Sequence, residues 1–298
     1  MSTSVEKGGP PNSIIGSVVD GAGEVRQVAT DGWPDGYVYG ATRYADVILR
    51  QAFTARSLDL ISALQRFRPT LTELRTGGGG RTVFVKRFDD SLAAMHDNGN
   101  AVWGKQNISI LKELALDGTS LLRTRFRGHE IDMFGKGSTD NPLPGIAVEM
   151  EWNNKDPFFD RDLLSFQALH REGVIAVGVI ITRGPVLQDL IGKTIQSRDG
   201  GLKYGQSSTH WEKLLPRVNF GGGGECPLLL IGIEPERIEG IGLAQDVKDR
   251  LQRAEELKSN WRDMRPDKKW KDVSAEYQKM KAEALRLMPP LKDVSGDE

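Results

Sequence analysis

A nearly continuous apolar segment, Val174 to Thr182 (VIAVGVIIT), is the feature that most restricts how this chain can fold. Such a run is expected of a β-strand that is covered on both faces, because a strand with one wet face alternates apolar and polar residues. A second run, Pro227 to Glu234 (PLLLIGIE), predicts another buried strand. A sheet with two covered faces needs helices on both sides. The two runs therefore predict an α/β protein.

A strand–helix–strand unit is predicted in the middle of the chain. Ile146 to Trp152 alternates like a strand, and a helix is expected from an N-cap at Asp160 to a stop at Gly173. Together with the strand at 174–182, this order indicates a right-handed crossover. A short strand is also expected at His129 to Phe134, followed by a turn-rich loop.

Further helices are predicted from the spacing of apolar residues. They are expected at residues 44–67 and 107–116 and, in a charged C-terminal segment, at 244–260 and 274–288. The change in composition divides the chain into three parts. These are a disordered lead-in at residues 1–12, an α/β domain at 13–242 and a charged helical C-terminal extension at 243–298.

Composition narrows the classes of protein that fit. The 40 Lys and Arg residues balance 41 Asp and Glu, so a protein that coats nucleic acid non-specifically is not expected, although a basic cleft stays compatible with the net charge of −1. Cys226 is the only cysteine, which excludes an intramolecular disulfide and a zinc site built on several thiolates. No apolar stretch suggests a membrane span or a signal peptide. We expect a cytoplasmic protein.

Three carboxylates carry the chemical prediction. Side chains alternate across a strand, so Glu149 and Glu151 point to the same face of the strand 146–152. Two buried, ionised carboxylates would repel each other, so this face is either wet or occupied by a cation. Asp132 lies in the preceding strand and can sit opposite Glu149 if the loop between them forms a hairpin. Three oxygen ligands on adjacent strands suit Mg²⁺.

At these residues the sequence resembles type II restriction endonucleases of the PD-(D/E)xK superfamily, most closely the branch of BglII and BamHI. The resemblance covers about residues 70–240. The matching segments are 129–132 (HEID), 147–156 (AVEMEWNNKD), 158–163 (FFDRDL), 178–183, 204–205, 209–214, the glycine run at 221–224 and 226–227. The last motif residue of the superfamily is usually Lys, whereas here Glu151 takes that place, as in the BamHI-like subgroup.

The resemblance implies a restriction-endonuclease-like core, in which helices flank a central mixed β-sheet, with the C-terminal helices as an addition. It implies Mg²⁺-dependent hydrolysis of double-stranded DNA at a short pseudo-palindromic site by a homodimer. It also implies host defence beside a cognate DNA methyltransferase. Asp132 and Glu149 would hold the metal, and Glu151 would either ligate it or activate the attacking water. In this branch an upstream helix adds a further acid, for which Glu113 on the predicted helix 107–116 is the candidate.

DNA contacts are expected from polar loops. Lys155 follows the metal-binding strand and is a candidate phosphate contact. The segment 198–210 (RDGGLKYGQSSTH) offers Arg198, Lys203, Thr209 and His210 among glycines, and such side chains can read bases or contact phosphates. A surface loop without a role in DNA binding would have the same composition.

Two other functions fit the same residues. A repair or mobile-element nuclease on this core would digest DNA at random or cut branched DNA. A non-catalytic DNA-binding protein would bind DNA with Ca²⁺ but not cut it with Mg²⁺. The intact acidic set argues against the second alternative, because carboxylates near phosphate are unfavourable without a metal.

Overall fold

The computed structural model describes residues 24–76, 82–289 and 291 of the chain. Its strands, among the described residues, are β1 (Arg26–Gln27), β2 (Tyr37–Ala41), β3 (His96–Asp97), β4 (Asn100–Ala101), β5 (Trp103–Leu116), β6 (Thr119–Gly135), β7 (Gly145–Met150), β8 (Ile175–Arg183) and β9 (Leu228–Ile233). Seven of them form one mixed sheet in the order β1-β2-β9-β8-β7-β6-β5, and β3 pairs with β4 in a separate small hairpin.

The α-helices that the structure describes are α1 (Ala45–Ala52), α2 (Thr54–Arg66), α3 (Leu71–Arg75), α4 (Val83–Ala93), α5 (Phe158–Arg171), α6 (Pro185–Thr194), α7 (Trp211–Asn219), α8 (Gly242–Ser259), α9 (Trp261–Met264) and α10 (Trp270–Arg286). The helices predicted at 44–67, 244–260 and 274–288 are therefore confirmed. None of the helices in the described ranges combines the length and apolar character that a membrane crossing requires.

Parallel strands form the centre of the sheet. β7 pairs with β8 and β8 with β9 in parallel, whereas the outer strands pair antiparallel. Helix α5 connects β7 to β8, which confirms the predicted strand–helix–strand unit. The helix begins after Pro157 rather than at Asp160, because Pro157 already has the helical backbone conformation of an N-terminal residue. Gly173, with a φ of 71°, ends it as predicted.

Both faces of the sheet are covered, as the long apolar runs predicted. Val177, Val179 and Ile181 of β8 belong to a core beneath α1, α2, α4 and α6, whereas Ile180 belongs to a second core beneath α5 and α7. Gly178 points to this second core, where a β-carbon would lie 2.3 Å from the ring of Phe166. The apolar run is interrupted by glycine because an aromatic ring of α5 lies against the strand.

The prediction of a helix at 107–116 is wrong. These residues belong to β5, which forms a long antiparallel hairpin with β6. The pairing runs to Leu116 and Thr119 across a turn in which Asp117 and Gly118 both have positive φ. An Asp-Gly pair in this conformation is a favoured hairpin turn. The apolar residues also fit helical spacing, but the partner strand decides the outcome by supplying the backbone hydrogen bonds.

The C-terminal helices pack against the rest of the protein. Helix α8 contacts α6 and α10, and its residues Ala244 and Val247 are buried in the larger core. Met288, after α10, is buried in the same core. The domain boundary at 242 stays a prediction, and the disordered lead-in predicted at residues 1–12 lies outside the described residues.

Candidate active site

The three predicted carboxylates meet at the end of β7, beside a pocket of about 680 Å³. Asp132, Glu149 and Glu151 all line this pocket. The wall also contains aromatic, amide and basic side chains from other elements; those that matter below are Lys105, Asn154, Arg161, Lys203 and Tyr204. The topology thus brings together residues of two adjacent strands, as the sequence analysis expected.

Asp132 lies in an irregular part of β6. The register of the β5–β6 pairing shifts next to Gly104, so Asp132 and Met133 together oppose a single residue of β5. A bulge of this kind changes the direction of a side chain and is common beside active sites. The backbone N–H of Asp132 donates to Glu149 Oε1 at 3.1 Å. The predicted adjacency of these two residues is therefore present in the structure.

Glu151 is held firmly just beyond β7. Its backbone N–H donates to the Ile181 carbonyl at 2.9 Å, and its own carbonyl accepts the Thr182 hydroxyl at 2.8 Å. The amide of Asn154 donates to Oε2 at 2.5 Å, and Nη2 of Arg161 lies 3.3 Å from Oε1. Both carboxylate oxygens thus contact donors, which fixes the orientation of the side chain.

A fourth carboxylate, Asp162 of α5, reaches the same cluster and was not predicted. It is buried, and its Oδ1 accepts from Arg161 Nε at 2.8 Å. Its Oδ2 accepts no N–H or hydroxyl from the described residues. The sequence contained a signal for it, since Asp162 lies within the buried apolar stripe of an amphipathic helix. The apolar residues of that stripe are Phe159, Leu163, Phe166 and Leu169.

The crowding of these acids raises their proton affinity. The pKa of Glu149 lies well above its usual range, first because the group is buried and then because Asp162 and Asp132 repel its charge. Burial, followed by repulsion from Glu151, raises the pKa of Asp162 from 3.8 to about 8, although Arg161 acts in the opposite direction. The cluster is short of positive charge in this structure.

This donor set fits a divalent cation. No group of three or more His, Cys, Asp or Glu side chains in the described part of the chain has the spacing of a complete metal site. Mg²⁺ does not require one, because it is usually held by one or two carboxylates together with water and substrate phosphate. Asp132 and Glu149 supply such a pair, and the buried, partnerless Oδ2 of Asp162 adds to the unbalanced negative charge beside them.

The structure does not bring Glu113 to this site. Glu113 lies on β5, outside the pocket lining, and pairs with Arg123 on the opposite strand of the hairpin at 3.1 Å. The expectation depended on a helix that would carry Glu113 towards the metal, and that helix is absent because 107–116 is a strand. A helix does contribute an acid to the cluster, but this acid is Asp162 of α5, and α5 follows β7 instead of preceding it.

The basic candidates for DNA contact differ in position. Lys203 lines the pocket, where its ammonium group donates to the carbonyls of Leu74, at 2.8 Å, and Thr76. Burial lowers the pKa of Lys203 to about 8. Lys155 and Arg198 are exposed, and Lys155 also forms a backbone bridge with the loop before α7.

Thr209 and His210 were also predicted to contact DNA, but both are fully buried, so their side chains cannot reach DNA in this conformation. The cause is Arg183, a buried arginine at the end of β8 that donates to the Thr209 carbonyl and, at 2.7 Å, to Ser208 Oγ. Arg183 also lies against the ring of Tyr204. This loop therefore contributes to the pocket wall mainly through Lys203 and Tyr204.

Comparison with known proteins agrees with the geometry. The family described as restriction endonuclease BglII/BglIII matches residues 37–233, about two thirds of the chain. This range contains the whole parallel centre of the sheet and all four clustered carboxylates. No curated protein matches the chain. The chain belongs to the BglII/BglIII restriction endonuclease family, and it is accordingly a type II restriction endonuclease, a phosphodiester hydrolase.

Proposed function

We propose that this enzyme cuts double-stranded DNA at a short pseudo-palindromic site and depends on Mg²⁺ held by Asp132 and Glu149. The observation that carries the proposal is the excess of carboxylates in the pocket at the end of β7. Asp132 and Glu149 are in direct contact there, and the pKa of Glu149 is raised by neighbouring acids. A bound divalent cation would balance this charge and offer open positions to a DNA phosphate.

Asp132 and Glu149 would hold Mg²⁺, which when bound would supply a Lewis acid for the phosphoryl oxygen and for the leaving 3′-oxygen. Glu151 orients the attacking water and accepts its proton. Its two oxygens already contact Asn154 and Arg161, which favours this role over direct metal ligation. The oxygen of the water forms a bond to phosphorus, the bond to the 3′-oxygen breaks, and the 3′-oxygen takes up a proton from solvent water. The products are a 5′-phosphate and a 3′-hydroxyl.

We also infer a homodimer in which each subunit cuts one strand of a two-fold symmetric site. Support comes from the β5–β6 hairpin, whose outer part exposes several leucines, among them Leu114 and Leu122. Exposed apolar patches are typical of surfaces that pack against another protein. Lys203, Lys155 and Arg198 are the proposed DNA contacts. The enzyme would act in the cytoplasm in host defence, together with a DNA methyltransferase that protects the host sequence.

Cleavage of plasmid or phage DNA tests the proposal. With Mg²⁺ we expect discrete fragments, and with EDTA none. Glu149→Gln removes one proposed metal ligand, so cleavage should fall by at least about 10³-fold, whereas DNA binding in Ca²⁺ should persist. Glu236→Gln, at an exposed acid outside the pocket lining, serves as the matched control.

The result also decides between the functions that the sequence left open. Random digestion would contradict site specificity, and binding without cleavage in Mg²⁺ would contradict catalysis. A Glu149→Gln enzyme as active as the wild type would overturn the assignment of the metal site. Mapping the ends of the fragments by sequencing would then identify the recognition site and the cleaved bond.

A further inference from the structure

Arg161 occupies an unusual position within the carboxylate cluster. It lies in the first turns of α5, lines the pocket, and its guanidinium bridges two acids. Nη2 lies 3.3 Å from Glu151 Oε1, and Nε and Nη2 both contact Asp162 Oδ1, at 2.8 Å and 2.7 Å. The guanidinium is thus directly beside the proposed water-activating residue.

Burial is distributed unequally within this trio. The side chains of Glu151 and Asp162 are 4% and 5% exposed, whereas that of Arg161 is 57% exposed. The two buried acids thus contact the edge of the guanidinium that carries Nε and Nη2, which we call its inner edge, while a large part of the arginine faces solvent. The guanidinium carbon lies over the ring of Phe158, 4.7 Å from the ring centroid. An exposed arginine is normally mobile, but these three contacts fix this one in advance.

The donor groups of Arg161 are only partly used. A guanidinium carries five N–H donors on three nitrogens. Within the described residues the hydrogen bonds and ion pairs of Arg161 engage Nε and Nη2, which leaves the two N–H groups of Nη1 without a protein acceptor. This donor pair belongs to a pocket-lining side chain and is therefore accessible to a ligand.

The other cations of the pocket wall are engaged elsewhere. Lys105 pairs with Glu130 at 2.7 Å, and Lys203 donates to the carbonyls of Leu74 and Thr76. Among the pocket-lining residues that the structure describes, Arg161 is the cation that contacts Glu151. A phosphate that approaches Glu151 is repelled by its charge, so a positive group at this point would favour productive binding.

We propose that Arg161 is a further catalytic residue, whose Nη1 edge binds a non-bridging oxygen of the DNA phosphate under attack while Glu151 and Asp162 hold its inner edge. The charge that develops on the phosphate in the transition state is stabilised by such a fixed donor. This inference extends the proposed DNA cleavage and rests on it. The chemical class of the ligand is the phosphodiester group itself, irrespective of the base sequence.

The first test separates catalysis from binding. In single-turnover cleavage with Mg²⁺, Arg161→Gln should lower the rate constant by about 10²–10³-fold, with a smaller effect on DNA affinity in Ca²⁺. Arg161→Lys keeps the charge but loses the forked geometry, so it should recover part of the rate. Arg171→Gln is the matched control, since Arg171 is a 74% exposed arginine at the far end of the same helix.

The second test measures contact with the phosphate independently of cleavage. Once the cleaved bond is mapped, its phosphate is replaced by a neutral methylphosphonate in the DNA duplex. The wild-type enzyme with Ca²⁺ should bind this duplex about ten- to a hundredfold more weakly than the unmodified one. Arg161→Gln should show a clearly smaller difference between the two duplexes, because only the contact of the phosphate with bound Ca²⁺ is then lost, whereas Arg171→Gln should show the full difference of the wild type.

The outcomes distinguish this inference from the proposed function. If the wild-type enzyme cuts no DNA, the proposed function fails and the inference fails with it. If the wild type cuts and Arg161→Gln is slow but keeps the full methylphosphonate effect, Arg161 acts only through Glu151 and Asp162, and the inference is overturned. If circular dichroism shows that Arg161→Gln is poorly folded, the same comparison is made with Arg161→Lys.

Discussion

Asp162 shows how strongly a single buried acid can respond to its surroundings. Burial and the neighbouring charge of Glu151 together outweigh the ion pair with Arg161, and the pKa of Asp162 rises from 3.8 to about 8. The folded protein without metal thus binds a proton that the unfolded chain releases near pH 4. The contribution of this group to stability is therefore complete below about pH 4 and is lost progressively as the pH rises to about 8.

Asp162→Asn should weaken this pH dependence, because asparagine resembles the protonated carboxyl group and cannot ionise. We expect the urea midpoint of the wild-type protein in EDTA to fall between pH 5 and pH 8, and that of the variant to fall less. At pH 8 the variant should be the more stable of the two. Asp160→Asn, an exposed position on the same helix, should leave the wild-type slope unchanged. Parallel profiles for wild type and Asp162→Asn would contradict the elevated pKa.

At the scale of elements, the β5–β6 hairpin exposes five leucines, which are Leu111, Leu114, Leu116, Leu121 and Leu122. Leu114 and Leu122 are directly paired across the strands and are 61% and 52% exposed. Leu122 and Asp132 both lie on β6, so a partner that covers the outer part of the hairpin is connected to the proposed site through one continuous strand. A symmetric enzyme that cuts both strands needs two such sites held in a fixed relation.

Leu114→Ser combined with Leu122→Ser should weaken dimerisation and leave folding intact. Both side chains are exposed in the single chain, so the free energy of unfolding should change by less than about 0.5 kcal/mol per site. Burying a leucine in an interface contributes about 1.5–3 kcal/mol, so the dimer dissociation constant should rise at least about tenfold. Sedimentation velocity over a range of concentrations measures it. Leu58→Ser, at an exposed position of α2, is the control. Equal dissociation constants for the wild type and the double variant would place the interface elsewhere.

At the scale of the whole molecule, the residues directly after α10 return to the core. Met288 is 1% exposed, and the neighbouring Pro289 carbonyl accepts a hydrogen bond from Arg75 at 2.6 Å. Helix α8 starts from the core as well, since Ala244 and Val247 are buried there. The charged faces of α8 and α10 lie towards solvent, but both ends of this segment are anchored to the α/β domain.

Met288→Ala should therefore destabilise the entire protein. Removing a buried methionine side chain costs about 2–5 kcal/mol, and urea unfolding followed by circular dichroism would show this as a lower midpoint in one cooperative transition. Met264→Ala is the matched control, because Met264 is 47% exposed on α9. An unchanged midpoint for Met288→Ala would indicate that residues 243–298 form an independent extension, as the composition had suggested.

The sequence by itself determined the buried strands, the unit β7-α5-β8 and the pair of acids at the end of β7. Apolar runs and two-residue alternation depend on local spacing. A strand such as β8, which is buried on both faces, needs apolar residues at nearly every position, so its sequence is easy to recognise. The same spacing, together with a neighbouring strand, was enough to predict that Asp132 meets Glu149.

Only the tertiary structure decided the remaining features. The apolar residues of 107–116 have a spacing that fits a helix as well as a strand. The segment is a strand because β6 supplies its backbone hydrogen bonds. Arg161 and Asp162 reach the acids because α5 begins shortly after β7 and packs against the neighbouring β8, a relation that no local pattern contains. The sequence predicts that Thr209 and His210 lie in an exposed loop. Both are buried in the structure, where the buried Arg183 donates a hydrogen bond to the Thr209 carbonyl. Side-chain exposure and charge balance depend on contacts between distant parts of the chain.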